Sequence, residues 1–599
     1  MDRAPAPVVV AGMHRSGTSL VASWVQALGI DVGSRLLEAD AANSRGYFED
    51  RDFVELHQRM FWEATRPDDG GHRDWGWTES ETLDHRVFAR HRAAAAELVS
   101  ARRARREPWG WKDPRTSLTL DFWDELVPDA RFVFVYRYPW DVGASMERLG
   151  AEVFVGRPDY AFHIWNAYNR ALLAFMDARP ERCLLLAVHS LTEDPEATAH
   201  LIQSRLGASE PSHLRAAERL EPALLHAMAL DDPYVQMARE LHPASMRLLA
   251  ELELRAGSAG ATMRPPPARR QAASTPLLSV VIPYHNDGEL LIEALASVER
   301  SVPVAHETIV IDDGSTDALS LHVLGFLRAR GATIVNQEQA GLGAARNAGF
   351  QQARADYVLP LDADNRLLPG FVESALALMA GDPRIIAVYG DRQDFGLRRG
   401  LVEVPEFDLF RLLQGNFIDA CALVRKRAWA ECDGYDADMP ALGWEDWDLW
   451  LGAAERGWSL VHLALPAFEY RVRASSMSSR LMEPAVGRAL QAYIVRKHEK
   501  LYAQFLPSLL EVAQGAKREP PRPSPPAPEL ETLREELRAL RLWAEEHSRA
   551  SISQTTRLSQ DNEALQAELA RWEQRTAAME RTRAWRARAA LLRLRSSLR

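Results

Sequence analysis

The stretch VVVAGMHRSGTSLV (Val8 to Val21) limits the fold of the first half more than any other segment. Three consecutive valines read as a buried strand. Gly12, four residues, Gly17 and the apolar run SLVASWVQAL then read as a tight loop opening a helix. A strand, a glycine loop and a helix set backbone N–H groups and a helix N-terminus around an anion, and they belong to α/β architecture with parallel strands. The pattern misses a nucleotide-binding P-loop by one residue. Thr18 stands where GxxxxGK[ST] has its lysine, and the nearest basic residue is Arg15, inside the loop. The glycine spacing alone does not separate an anion site from a chance turn.

Two breaks in composition organise the 599 residues. GSAGATMRPPPARRQAAST (Gly257 to Thr275) is small, polar and proline-containing, and EPPRPSPPAP (Glu519 to Pro528) is an extended proline-rich spacer. The expected plan is a domain over 1–255, a linker over 256–275, a domain over 276–515, a proline-rich linker over 516–528, a coiled coil over 529–580 and a basic amphipathic tail over 581–599. Both large units alternate β-rich runs with helical patterns. A net charge of -11 argues against nucleic acid as a partner of the whole chain. Three cysteines without metal-ligand spacing suit a reduced, cytoplasmic chain. His14 and Arg15 interrupt the first apolar stretch, so it reads as the opening of a domain rather than as a signal peptide. No segment approaches the roughly 20 apolar residues of a membrane span.

A second element gives the first loop its meaning. ARFVFVYRYPWDVGASMERL is a strand ending at Arg137, then a helix with Asp141 in its first turn and Ser145 one turn on. An arginine at a strand end and a serine near a helix start can converge on a phosphate. HRSGTS and RYPWDVGAS together resemble the 5′-phosphosulfate loop and the 3′-phosphate element of the sulfotransferase superfamily. The resemblance covers roughly Pro7 to Ala250 and implies 3′-phosphoadenosine 5′-phosphosulfate (PAPS) as donor. His14, Arg15, Ser16, Gly17, Thr18 and Ser19 would take its 5′ side, and Arg137 and Ser145 its 3′-phosphate. That family needs no metal, which accounts for the missing lysine. Arg15 departs from the more familiar lysine; it stays charged, so its role is electrostatic. RGYFEDRDF (Arg45 to Phe53) offers Glu49 as base for the acceptor hydroxyl, with Asp50 and His57 behind it; an acidic helix start is the bland alternative. WGWKDPRTS offers Lys112 and Arg115 for leaving-group charge or substrate anions, against a structural ion pair with Asp113. Trp165, Asn166 and Asn169 follow a helical spacing and read as structural.

The second unit opens with LLSVVIPYHND and continues through ETIVIDDGSTD, AGLGAARNAG and YVLPLDADN. Strands ending in acids place carboxylates at the carboxyl edge of a parallel sheet, where α/β ligands bind. Asp362 and Asp364 can hold a divalent cation that bridges a diphosphate. This order resembles the family 2 glycosyltransferases, with a GT-A, Rossmann-like fold over roughly Pro276 to Lys500. The resemblance implies a nucleotide-diphosphate sugar, with Pro283, Tyr284, Asp312 and Asp313 around the nucleoside and Arg346 near the nucleotide. It implies Mn²⁺ or Mg²⁺ on Asp362 and Asp364, and an inverting displacement with Asp446 of GWEDWDLW as base beside Glu445. Trp444 and Trp447 are sugar-stacking candidates against core packing, YRVRASSM resembles the closing loop, and His462 is a candidate third metal ligand.

Leu530, Leu533, Leu537 and Leu540, then Leu558, Asn562, Leu565, Leu569 and Trp572, step by threes and fours, as two coiled-coil segments would. RTRAWRARAALLRLRSSLR has seven arginines and no acid, and suits an anionic membrane surface or a plain basic end. The expectation is a bifunctional sulfotransferase and glycosyltransferase acting on a glycan or lipid-linked acceptor for a sulfated surface glycan, in the cytoplasm and peripheral to the inner membrane. The alternatives are a nucleotide-dependent kinase as first domain, or a scaffold in which one domain has no catalysis.

Overall fold

In the computed structural model, the described residues are 5–39, 46–68, 70–78, 82–207, 227–257, 275–441, 443–474 and 484–513. Four apolar runs form the first sheet: β1 (Val8–Ala11), β2 (Gly110–Lys112), β3 (Arg131–Tyr136) and β4 (Cys183–Ala187). All pair in parallel, in the order β2–β1–β3–β4. Val9, Phe132 and Phe134 pack on one face with Phe53, Trp111 and Trp123. Val8, Val10, Val133 and Val135 pack on the other with Val21, Trp24 and Val25. A sheet covered on both faces explains why its strands read as unbroken apolar runs. The helices that position the site are α1 (Thr18–Ala27), α2 (Arg51–Ala64), α3 (Pro139–Glu147) and α4 (Asp159–Ala178). Ala11 pairs with Phe134, so the exits of β1 and β3 stand side by side.

Two helices follow, α5 (Pro233–Leu241) and α6 (Pro243–Ala256). Leu248, Leu249 and Leu252 of α6 join the first core. Helix α5 serves two cores: Val235 and Ala238 face the first, Met237 and Leu241 the second. The described chain up to Leu509 is accordingly one compact unit.

The second sheet has nine strands: β5 (Leu278–Tyr284), β6 (His306–Asp313), β7 (Thr333–Gln337), β8 (Tyr357–Pro360), β9 (Arg366–Leu367), β10 (Ile385–Gly396), β11 (Gly400–Val402), β12 (Leu423–Arg425) and β13 (Ser459–Val472). Their order is β9–β13–β10–β12–β8–β5–β6–β7, with β11 beside β10. The nucleus β8–β5–β6–β7 is parallel, as expected. The other half is mixed, because β12 runs antiparallel to both β8 and β10. The helices of this domain include α7 (Leu290–Ser301), α8 (Leu342–Gln352), α9 (Glu445–Glu455), α10 (Pro484–Lys497) and α11 (Glu499–Ala513). The two domains are thus a parallel-sheet α/β unit and a GT-A-like unit. Most of the 256–275 linker, the proline-rich segment 516–528, the expected coiled coil 529–580 and the basic tail 581–599 lie outside the described residues. Among the described residues no helix is long and apolar enough to cross a membrane.

Candidate functional site

The loop after β1 bends through Gly12, Arg15 and Gly17, all at positive φ (154°, 67° and 82°). A Cβ on Gly12 would meet the Val135 carbonyl oxygen at 2.2 Å, and one on Gly17 the Val188 Cγ2 at 2.7 Å. Only glycine allows the loop to lie this close to β3. Thr18 is buried at the start of α1, and Ser19 Oγ donates to the Tyr47 carbonyl at 3.2 Å. The two anion motifs meet in one contact: Arg15 Nε donates to Ser145 Oγ at 2.9 Å. Arg137 stands at the exit of β3, 3.7 Å from Asp141, and the Trp165 indole donates to its carbonyl oxygen at 2.8 Å. Burial, with Arg148 and Arg15 nearby, pulls the Arg137 guanidinium down to about 10 despite Asp141. An anion would relieve that crowding of positive charge.

Two buried atoms in the loop have no hydrogen-bond partner, Ser16 Oγ and His14 Nε2. The His14 ring stacks on Trp75 with centroids 4.0 Å apart. Burial, and then Arg115, hold His14 well below its ordinary value, so it is neutral near pH 7. The unpartnered Ser16 hydroxyl, glycines at close approach and the charges of Arg15 and Arg137 fit a phosphate or sulfate ester.

Glu49 is buried between two cations: Oε1 lies 2.6 Å from Lys112 Nζ and Oε2 3.2 Å from Arg115 Nη1. Lys112 also donates to the Tyr47 carbonyl (3.1 Å) and Ser19 Oγ (3.4 Å), which brings it to the loop after β1. Arg115 also pairs with Asp113 at 2.9 Å, the structural pair weighed above. The groups expected behind Glu49 have other work. Asp50 caps α2, accepting from Asp52 N, and pairs with Arg102. His57 accepts at Nε2 from Trp123 Nε1 (2.8 Å), so its Nδ1 donates to Asp113 (2.8 Å). Both are fully buried, and neither is free to serve as a base.

In the second domain, Arg346 on α8 is the hub. Its Nη2 lies 2.8 Å from Asp362 and its Nη1 2.7 Å from Glu445. Asp446 is held by Asn416 Nδ2 (2.9 Å) and by the Trp447 N–H (2.8 Å). Burial, and then Glu445, push the Asp446 carboxyl well above its ordinary value. Asp364 pairs with Arg473 at 2.7 Å. Burial raises Asp364 to about 6 against the pull of Arg473, with Asp287 and Asp362 adding to the rise. Asp362 and Asp364 are the carboxylates that would hold a divalent cation, each now engaged by an arginine, and among the described residues no three His, Cys, Asp or Glu are grouped to hold one.

The nucleoside candidates divide. Asp312 accepts from Ser315 N at 3.0 Å. Asp313 spends both oxygens on the turn after β7, accepting from Ala340 N (2.8 Å) and Gly341 N (2.9 Å). Pro283 is buried in β5. Tyr284 is corrected from a ligand contact to a core residue: its ring is buried and its hydroxyl donates to the Gly288 carbonyl at 2.9 Å. His462 binds Asp391 at 2.9 Å instead of joining the Asp362–Asp364 pair. Trp447 is a core residue donating to the Leu412 carbonyl, while Trp444 is half-buried. Sequence reasoning missed Asp287, Asn416, Asp419 and Arg473. Asp287 and Asp419 each carried a signal, an acid closing an apolar run in VVIPYHND and in NFIDACALV.

Residues 7–211 match the family model described as Sulfotransferase family, and residues 279–427 match Glycosyl transferase family 2. The chain joins a sulfotransferase-family domain to a family 2 glycosyltransferase domain. Among curated relatives, O-antigen biosynthesis protein RfbC of Myxococcus xanthus is 28% identical over 37% of this chain and 18% of its own length. UDP-Glc:alpha-D-GlcNAc-diphosphoundecaprenol beta-1,3-glucosyltransferase WfgD of Escherichia coli is 24% identical over 34% of this chain and 80% of its own. The chain spans 18%, 37% and 33% of the length of the first three relatives it matches. A solved structure of S. aureus TarS with UDP-GlcNAc aligns with a TM-score of 0.32 at 19% identity, covering 38% of this chain and 71% of that one.

Proposed function

We propose that this chain is a bifunctional transferase. The first domain moves sulfonate from PAPS to a hydroxyl, and the second moves a sugar from a nucleotide-diphosphate sugar with inversion. The product is a sulfated surface glycan or glycoconjugate. The observation that carries the first activity is the 2.9 Å contact of Arg15 with Ser145, flanked by the unpartnered Ser16 Oγ and His14 Nε2. One contact joins the loop for a 5′-phosphosulfate to the element for a 3′-phosphate.

In sulfonate transfer the acceptor oxygen bonds to sulfur as the bond from sulfur to the bridging oxygen breaks. Arg15 offsets the charge that gathers on the bridge, and Lys112 stands near enough to Ser19 to add to it. The acceptor proton needs a base. Glu49 remains the carboxylate of the site, but to take a proton it must release Lys112 or Arg115. A second reading rests on His14, whose buried, unpartnered Nε2 is ready to accept a proton without breaking any pair.

In glycosyl transfer Asp446 takes the acceptor proton, and its raised carboxyl suits that work. Asn416 and the Trp447 N–H orient it. Asp362 and Asp364 would hold Mn²⁺ or Mg²⁺, which supplies Lewis-acid charge to the leaving diphosphate. The name of WfgD specifies a diphosphoundecaprenol-linked acceptor, which supports a lipid-linked glycan here. We place the chain in the cytoplasm at the inner membrane face, with 581–599 as its contact and 529–580 as a self-association segment.

Calorimetry on the full chain separates the readings. Adenosine 3′,5′-bisphosphate binds the wild type, and Arg137→Gln weakens it about 10–100-fold, as expected for loss of a charged hydrogen bond. Binding of ATP in its place would support the kinase reading. Asp364→Ala abolishes glycosyl transfer and spares sulfonate transfer. Survival of both activities in that variant would show the domain assignment to be wrong.

A further inference from the structure

The helix that carries Ser145 ends at Glu147, and Glu147 reaches into the other domain. Its Oε1 lies 2.6 Å from Arg366 Nη2 and 2.7 Å from Arg471 Nη1. Glu293 on α7 closes the ring, 2.5 Å from Arg366 and also paired with Arg471. Glu469 adds a longer pair to Arg366 at 3.4 Å. Burial alone would push the Glu147 carboxyl up, but Arg366 and Arg471 hold it down at about 2.

Arg471 carries this network into the acidic turn after β8. Its Nε donates to the Asp364 carbonyl at 2.9 Å, and its backbone N–H donates to Asn365 Oδ1 at 3.0 Å. Its Nη1 also donates to the Val155 carbonyl of the first domain at 2.9 Å. Arg471 is 1% exposed, so its planar fork has one arrangement to adopt. Among the described residues two other arginine–carboxylate pairs cross between the domains, Arg300 with Asp232 at 3.0 Å and Arg330 with Glu240, beside the His242–Glu289 contact at 3.0 Å. Neither arginine pair touches Arg471 or the turn.

We propose that Glu147 is a positioning residue of the glycosyl-transfer site. Through Arg471 the first domain holds the Asp364 carbonyl and the Asn365 side chain, and so sets how Asp362 and Asp364 face the donor diphosphate. The first domain is then a working part of the second domain's donor site. A buried arginine that loses one of two carboxylates keeps a charge that is no longer fully compensated, a costly state that favours its rearrangement. The displaced turn would no longer present its carboxylates together. This rests on reading Asp362 and Asp364 as the donor site.

The test uses the full chain as wild type, Glu147→Gln, Glu147→Asp and Arg300→Gln. UDP, GDP and dTDP are titrated with Mn²⁺, and the nucleotide that the wild type binds most tightly becomes the probe. Donor KM and kcat are measured beside it, and adenosine 3′,5′-bisphosphate binding reports the state of the first domain. Glu147→Gln weakens the probe about 10–100-fold and raises donor KM, the scale of a misplaced binding group. Glu147→Asp recovers part of the loss. Arg300→Gln breaks a pair between the domains and leaves the probe's affinity unchanged. Equal binding by wild type and Glu147→Gln overturns the proposal, as does an equal loss in Arg300→Gln, which would mean that loosening the interface is enough. If Glu147→Gln does not fold, Glu147→Asp decides, because it keeps the charge but is too short for both arginines; wild-type affinity in that variant overturns the proposal. A wild type that binds none of the three nucleotides overturns the reading of the site, and this proposal with it.

Discussion

Arg15 holds a left-handed backbone conformation that a non-glycine residue adopts at a cost of order 1–3 kcal/mol, and its side chain is thereby aimed at Ser145. Both residues stand out in the sequence because each belongs to a motif. Asp446 stands out for the same reason, but the acids around it do not. Asp419 feels Asp362 and lies near Asp446, yet its acid is isolated in its own segment. Asp446→Asn is expected to lower glycosyl transfer by about 10²–10⁴-fold, the usual worth of a general base, with donor binding retained in a titration. The base works deprotonated and its carboxyl is raised, so the wild-type rate should climb with pH through a midpoint above the ordinary carboxylate value of about 4. A rate–pH profile already flat at pH 5 would remove Asp446 from that role.

The loop from Gly12 to Gly17 was legible as an element because glycine spacing after a valine run has few other uses. Its tightness was not, since the Val135 carbonyl that crowds Gly12 arrives from another strand. Gly12→Ala should cost about 1–3 kcal/mol of stability through backbone strain alone, and it should also weaken adenosine 3′,5′-bisphosphate binding. A denaturation midpoint and a titration check the two separately. The junction of α10 and α11 is a second such element. His498 sits between them, with Nε2 2.9 Å from Asp448 and Nδ1 3.0 Å from Glu455, both on α9. Burial lowers its pKa, but the bonds to Asp448 and Glu455 outweigh burial and the net shift is upward. A raised folded value stabilises fully below the unfolded value of about 6.5 and is lost as pH rises through the folded one. His498→Gln should therefore cost most stability at low pH, with the gap to wild type closing as pH rises. Melting temperatures across pH 5 to 9 follow it.

The two domains are bound by more than a linker. Helix α5 gives Met237 and Leu241 to one core and Val235 and Ala238 to the other, so neither core is complete without it. The break at Gly257 does not carry this information, because proline and small residues mark where a chain turns and say nothing of which core the preceding helix enters. The tail acts at the same scale. If residues 581–599 contact an anionic membrane, their removal should lower partitioning onto vesicles containing anionic lipid, more at low salt than at high. Equal partitioning with and without the tail would rule the contact out.

Local chemistry is what the sequence by itself determined: two α/β domains in order, a glycine loop paired with an RxPxDVxxS helix, and strand ends rich in aspartate. Those features depend on residues close together in the chain, where periodicity and turn chemistry act. The tertiary structure decided which of these groups remain free. It spent Tyr284, His57 and Asp50 on the core, on Asp113 and on a helix cap. It placed Asp287 and Arg473 with Asp364, and it joined Glu147 to Arg471. Each of these is a meeting of charges or hydrogen-bond partners distant in sequence. Their strength comes from burial, and burial is a property of the packed molecule.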